Sequence, residues 1–201
     1  MSNNATWYQS THTLRIIGDK DPSLEHIKHL HDGLLADLVE AVMNGALPDR
    51  EALRKVYGLP PLKLMIVIDY GKTLEQVLEA GKYDWVNSDV TPDRFPIKGT
   101  GVVEREAKIV HFGKDMSSEQ VEAELEKKSL RPGTHEELLA FGSTYPEMQR
   151  KFPIVALGSS AVVYGGRCVV YLIRVDSERR VGLGRWGGGW GGGCRFLAFA
   201  K

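Results

Sequence analysis

Cysteine is nearly absent: Cys168 and Cys194 are the two in a chain of 201 residues. So sparse a pair excludes a disulfide-rich secreted scaffold, and no further Cys or His stands nearby at zinc-ligand spacing. A disulfide between strands stays open but is uncommon in a reducing compartment. An excess of charge of one sign is missing too. The 26 Lys and Arg balance 26 Asp and Glu, so no overall field draws in nucleic acid or an anionic membrane. No run approaches the roughly 18 apolar residues of a spanning helix. Met1 to Thr6 lacks the basic and apolar regions of a secretory signal. The expectation is a cytoplasmic protein with no membrane span and no bound cofactor.

A second absence is local. Lysine recurs regularly up to Lys151 and then not until the last residue, Lys201. Met, Asn and Gln are missing from the same stretch, which holds Gly, Arg, Val, Ser, Cys and Tyr instead. It contains Arg185-Trp186-Gly187-Gly188-Gly189-Trp190-Gly191-Gly192-Gly193-Cys194-Arg195-Phe196. Two Trp inside a mere linker would be odd, so Trp186 and Trp190 read as core anchors holding a glycine loop down. The loop itself reads as flexible.

Periodicity supplies a coarse map. Thr13 to Ile17 suits a short strand, and Ser23 caps a helix whose Leu24, Ile27, Leu34, Leu35, Leu38, Val39 and Val42 form one core-facing stripe. Pro48-Asp49 opens a second helix, ended by Gly58 and Pro60-Pro61. Leu62 to Asp69 reads as a buried strand, Thr73 to Ala80 as a helix stopped by Gly81, and residues 82–100 as a connecting loop. Val102 to Phe112 is a strand. Ser117 with Gln120, and Thr134 with Glu137, are capping-box pairs that open two further helices. Pro153 to Leu157 is a strand, Val169 to Val175 and Arg180 to Trp186 form a hairpin around Asp176-Ser177-Glu178, and Cys194 to Ala200 is the last strand. The fold class is α+β, helices early and a small antiparallel sheet late, with domains expected over 1–98 (mixed α/β) and 99–201.

No reaction is specified by these residues. A phosphate loop belongs between a strand and a helix and supplies Lys-Ser or Lys-Thr, whereas this glycine run precedes a strand and has no Lys. Even so, a small enzyme holding a nucleotide or sugar phosphate there is the competing reading, and a structural or assembly protein a third. His26, His29 and His31 sit on a helix, but His31 does not share the face of the other two at metal spacing, so a solvated surface is the better reading. Ser159, Ser160 and Cys168 are candidate nucleophiles; no Gly-x-Ser-x-Gly elbow surrounds the serines, and no histidine is expected to approach them. Arg167, Arg174, Arg179, Arg180, Arg185 and Arg195 interleave with aromatics, the residue types that dominate protein-binding hot spots. Since the rest of the chain adds no basic stripe, a protein ligand is favoured over nucleic acid.

The stretch from Ile154-Val155-Ala156-Leu157-Gly158-Ser159 to Arg195-Phe196-Leu197-Ala198-Phe199 resembles the variable proteins of diversity-generating retroelements. In that family an error-prone reverse transcriptase rewrites the 3′ end of a gene at adenines. Substituting the adenines of an Asn codon reaches Gly, Arg, Cys, Val, Tyr and Ser but never Lys, Met, Gln, Glu or Trp, which agrees with what the tail holds and lacks. The resemblance implies a C-type-lectin-like (formylglycine-generating-enzyme-like) fold, a non-enzymatic binding role and a variable segment over about 159–195. Calcium or sugar binding is not implied, because the Glu-Pro-Asn and Trp-Asn-Asp signatures are missing. Strand alternation turns Leu172, Val181, Leu183, Trp186, Trp190 and Phe196 to the core. It leaves Tyr171, Ile173, Val175, Gly182 and Gly184 on the ligand face, joined by Tyr164, Cys168, Arg174, Arg185, Gly188, Gly191, Gly193 and Cys194.

Overall fold

The computed structural model describes residues 63–201, together with 35–45, 54–55 and the single residues Ser23, Glu25, Lys28 and Gly33. The chain divides into two compact units, 1–62 and 63–201. In the first, helix α1 (Leu35–Met43) has no buried residue. Its Leu35, Val39 and Val42, expected to face a core, are exposed. Arg54 and Lys55 are helical. The strand expected at Thr13 to Ile17, most of the second helix, and His26, His29 and His31 lie outside the described residues.

The second unit begins earlier than the sequence suggested, at residue 63 rather than 99. The cause is strand pairing. Strand β1 (Leu64–Asp69) runs antiparallel to β3 (Val102–His111), Leu64 opposite Ala107 and Asp69 opposite Val102. Ile66 and Ile68 of β1 are buried while Met65 and Val67 are exposed, so this strand alternates at a sheet edge instead of being buried throughout. Helix α2 (Leu74–Gly81) starts at Thr73, whose side chain and that of Gln76 cap each other's backbone N–H. It stops at Lys82, which takes the left-handed conformation (φ 48°), so Gly81 is its last residue and not its terminator. The expected loop after it contains a two-residue strand, β2 (Trp85–Val86), and sends Val90 and Phe95 into the core.

Helix α3 (Ser118–Lys127) and helix α4 (His135–Thr144) begin at the capping boxes of Ser117 and Thr134, as the spacing predicts. Between them runs β4 (Leu130–Pro132), and after α4 comes the short helix α5 (Pro146–Lys151). Strands β5 (Ile154–Val155), β6 (Ala161–Val163), β7 (Gly166–Val175), β8 (Glu178–Arg185) and β9 (Arg195–Ala200) complete the unit. All join one nine-stranded sheet, ordered β1-β3-β9-β5-β7-β8-β2, with β4 added on β9 and β6 on β7. It is mixed rather than antiparallel, because β5 runs parallel to β9 and β2 parallel to β8. The architecture is α+β.

Apolar residues cover both faces of the sheet centre. One cluster takes Ile154, Val170, Leu172, Val181, Leu197 and Phe199 with Leu138 and Phe141 of α4. The other takes Val155, Val169, Phe196 and Ala198 with Trp186, Trp190 and Val121 and Leu125 of α3. Neighbouring residues of one strand point to opposite faces, so β5, β7 and β9 lie between two apolar layers. That is why Val169-Val170 and Phe196 to Phe199 read as unbroken apolar runs.

Candidate functional site

The glycine loop leaves β8 through a turn of 3-10 helix, Trp186–Gly188, and enters β9. It therefore connects two strands. Far from floating, it is pinned to the start of α3. The Trp186 indole N–H donates to Glu119 Oε1 at 2.5 Å, and the Trp190 indole N–H to Ser118 Oγ at 2.9 Å. Ser118 Oγ, fully buried, donates in turn to the Trp186 carbonyl at 2.8 Å. Met116 and Trp190 exchange both backbone hydrogen bonds, and Asp115 accepts from the Gly192 N–H at 2.7 Å. The Arg167 guanidinium lies 3.4 Å from the centroid of the Trp186 ring, a cation–π contact. The expected flexible loop is thus a stapled one, and its two Trp are buried anchors.

Beside this loop opens a hollow of about 290 Å³. Of the residues read from the sequence as ligand-facing, Tyr171, Ile173, Gly184, Arg185, Gly188, Gly191 and Cys194 line it. Trp190 and Tyr171 form an aromatic floor, their ring centroids 6.5 Å apart, edge to face. Burial pushes the half-buried Cys194 thiol up, so it lies there as a neutral thiol.

The other expected positions part from this hollow. Cys168 is a correction: it is buried at 5% exposure and shares the β7 face of Val170 and Leu172, away from Tyr171. Both cysteines are free thiols. Arg174 is exposed but also falls on the Cys168 face, next to the Asp176-Ser177 turn. Val175 is half-buried at the far end of β7. Tyr164 is 81% exposed in the β6–β7 turn, with φ 47°. Leu183, expected in the core, is half-buried at its margin.

Glycines divide into two kinds. A Cβ on Gly182 would stand 2.6 Å from the Tyr171 ring, and one on Gly184 would overlap the Trp190 indole. Gly189 needs φ 74°, and a Cβ on Gly192 would press on the Lys114 backbone at 3.1 Å. These four are closed. Gly187 and Gly193 have open space at the Cβ position, and Gly188 and Gly191 meet only ordinary contacts at 3.7 and 4.0 Å. Gly182 and Gly184, read from the sequence as ligand-facing, thus have no room for a side chain under the aromatic rings packed over them, whereas Gly188, Gly191 and Gly193 have room.

A second hollow escaped the sequence reading. Of about 300 Å³, it is lined by Arg94, Lys98, His135, Glu136, Ser159 and Ser160 among others. His135 Nδ1 lies 3.0 Å from Ser159 Oγ, so a histidine does approach a candidate serine. The residues are 24 apart in sequence and meet because Gly158 N–H bonds the Gly133 carbonyl at 2.8 Å, setting the β5 exit against the α4 entry. No spacing rule signals such a meeting. Among the described residues no group of three His, Cys, Asp or Glu side chains is placed to hold a metal ion, and no helix is long and apolar enough to cross a membrane.

Comparison with known proteins finds no matching family model, curated protein or solved structure.

Proposed function

We propose that this protein is a ligand-binding protein whose glycine-loop face recognises other proteins, and that this face is the diversified surface of a retroelement variable protein on a C-type-lectin-like scaffold. The carrying observation is the interleaving inside one loop. Trp186 and Trp190 are buried and hydrogen-bonded, whereas Gly187, Gly188, Gly191 and Gly193 between and after them have room for a side chain. Anchors that stay and neighbours that vary are what a diversified surface requires, because outward side chains contribute little to the core. The aromatic floor and Arg185 supply the residue types that anchor protein partners. In this copy the open positions are glycine, which offers little contact area, so affinity is weak.

The test is a display library with Gly187, Gly188, Gly191 and Gly193 randomised and all else fixed. Most members stay folded, and selection against several unrelated proteins yields binders with different loop sequences. A library that unfolds, or one that returns a shared small-molecule ligand across members, overturns the reading. The retroelement component is checked in the neighbouring genome, where a reverse transcriptase gene and a near-copy of the tail's coding sequence differing at adenines are expected.

A further inference from the structure

His135 is 2% exposed, and both its ring nitrogens are engaged. Nε2 lies 3.1 Å from the Phe95 carbonyl oxygen, which only accepts, so Nε2 carries the hydrogen. Burial lowers the imidazole's affinity for a further proton, the Glu136 charge opposing that effect. In the neutral ring Nδ1 offers a lone pair, and the Ser159 hydroxyl 3.0 Å away donates to it. The His135 backbone N–H donates to the same Oγ at 2.7 Å and fixes its position.

Ser159 Oγ satisfies the N–H of His135 at the start of α4, which the Thr134 capping box leaves open, but helix capping does not account for the contact with the imidazole. Nor does it account for Glu136. That residue is 4% exposed, with Oε1 accepting the Lys98 backbone N–H at 2.8 Å. Its Oε2 has no hydrogen-bond partner among the described residues, yet stands 3.1 Å from Nδ1. An unsatisfied buried carboxylate oxygen is costly. A proton arriving on Nδ1 would offset that cost by placing a positive charge beside it, the arrangement that favours proton uptake from a serine.

We propose that Ser159 is a nucleophile activated by His135, taking acyl groups from small esters that carry an anionic substituent. Ser159 Oγ bonds to the ester carbonyl carbon as its proton passes to Nδ1. The ester C–O bond then breaks, and the leaving alcohol oxygen takes that proton. Water next adds to the acyl carbon, handing a proton to Nδ1; the bond to Oγ breaks, Oγ recovers the proton and the acid departs. Three cations line the hollow: Arg94 is paired with Asp89, and Arg167 lies over the Trp186 ring and donates to Ser160 Oγ, which leaves Lys98 as the cation that favours an anionic substituent.

The experiment treats the full chain with a fluorophosphonate and maps the adduct by peptide mass. The expected result is one adduct, on Ser159, kept in Ser160→Ala and absent from Ser159→Ala and from heat-denatured chain. A folded His135→Gln variant labels at least about 100-fold more slowly, the scale of a lost general base. No adduct, an adduct elsewhere, equal labelling of denatured chain or an unchanged rate in folded His135→Gln overturns the proposal. Should His135→Gln not fold, release of nitrophenol by the wild type over the rate without protein decides: the 4-nitrophenyl monoester of adipic acid, whose carboxylate is too far along the chain to cyclise readily, reacts faster than 4-nitrophenyl hexanoate, and Lys98→Ala removes the difference. Equal rates on the two esters sink the anionic preference. These measurements do not involve the glycine-loop face, so they fail or succeed independently of it.

Discussion

At the scale of single residues, the glycines separate what the tail must keep from what it can change. Gly184→Ala pushes a methyl into the buried Trp190 indole and costs about 1–3 kcal/mol, the range for overpacking a filled site. Gly193→Ala meets nothing and stays within about 0.5 kcal/mol of wild type. Urea melts of the two variants check both values, and equal losses would show that the indole yields. Alternation along the hairpin put Leu172 and Val181 in the core and Tyr171 and Ile173 on the opposite face, where they line the hollow beside the glycine loop, because it depends only on strand period. It could not see that an aromatic ring from another strand or loop lies over Gly182 and Gly184. Followed from Leu172 it places Cys168 on the buried face, where the structure has it, so grouping Cys168 with the ligand face went against the strand period. The Ser159–His135 contact was hidden for the same reason: it exists only once two chain turns meet.

At the scale of elements, what the sequence announced were the ends that carry their own chemistry. Ser117 with Gln120 and Thr134 with Glu137 begin helices because each side chain satisfies a nearby backbone donor, an interaction local to four residues. The glycine loop shows the reverse case, since its order comes from distant partners on α3. Glu119 holds the Trp186 indole. Its carboxyl is held below the ordinary glutamate range, first by a backbone hydrogen bond at the helix start and then by the indole N–H. A folded-state value below the unfolded one means the stabilisation is complete above the ordinary glutamate range and is lost as pH falls through the lowered folded value. Trp emission should therefore shift to longer wavelength on acidification below that range, before global unfolding. In Glu119→Gln this early shift disappears. An identical early shift in both chains would place the loop's acid sensitivity elsewhere.

At the scale of the whole molecule, strand pairing over long sequence distance decided where the second unit begins. Nothing near Leu64 to Asp69 states that its partner is Val102 to Ala107, nor that β5 will lie parallel to β9. The sequence therefore suggested a boundary inside a domain that is continuous from residue 63. Both apolar clusters are built from residues within 63–201, so a chain shortened to that range retains the complete sheet and both hollows. Such a chain should unfold in urea in one cooperative transition that Trp fluorescence and far-ultraviolet circular dichroism report together. Leu172→Ala, which truncates a fully buried side chain between β5 and β8, should lower its stability by about 2–5 kcal/mol. Non-coincident transitions would mean that the glycine-loop cluster around Trp186 and Trp190 melts apart from the cluster around Leu172. In that event the loop's anchors would not share the stability of the sheet, and the surface we propose to vary would lack the fixed support that variation requires.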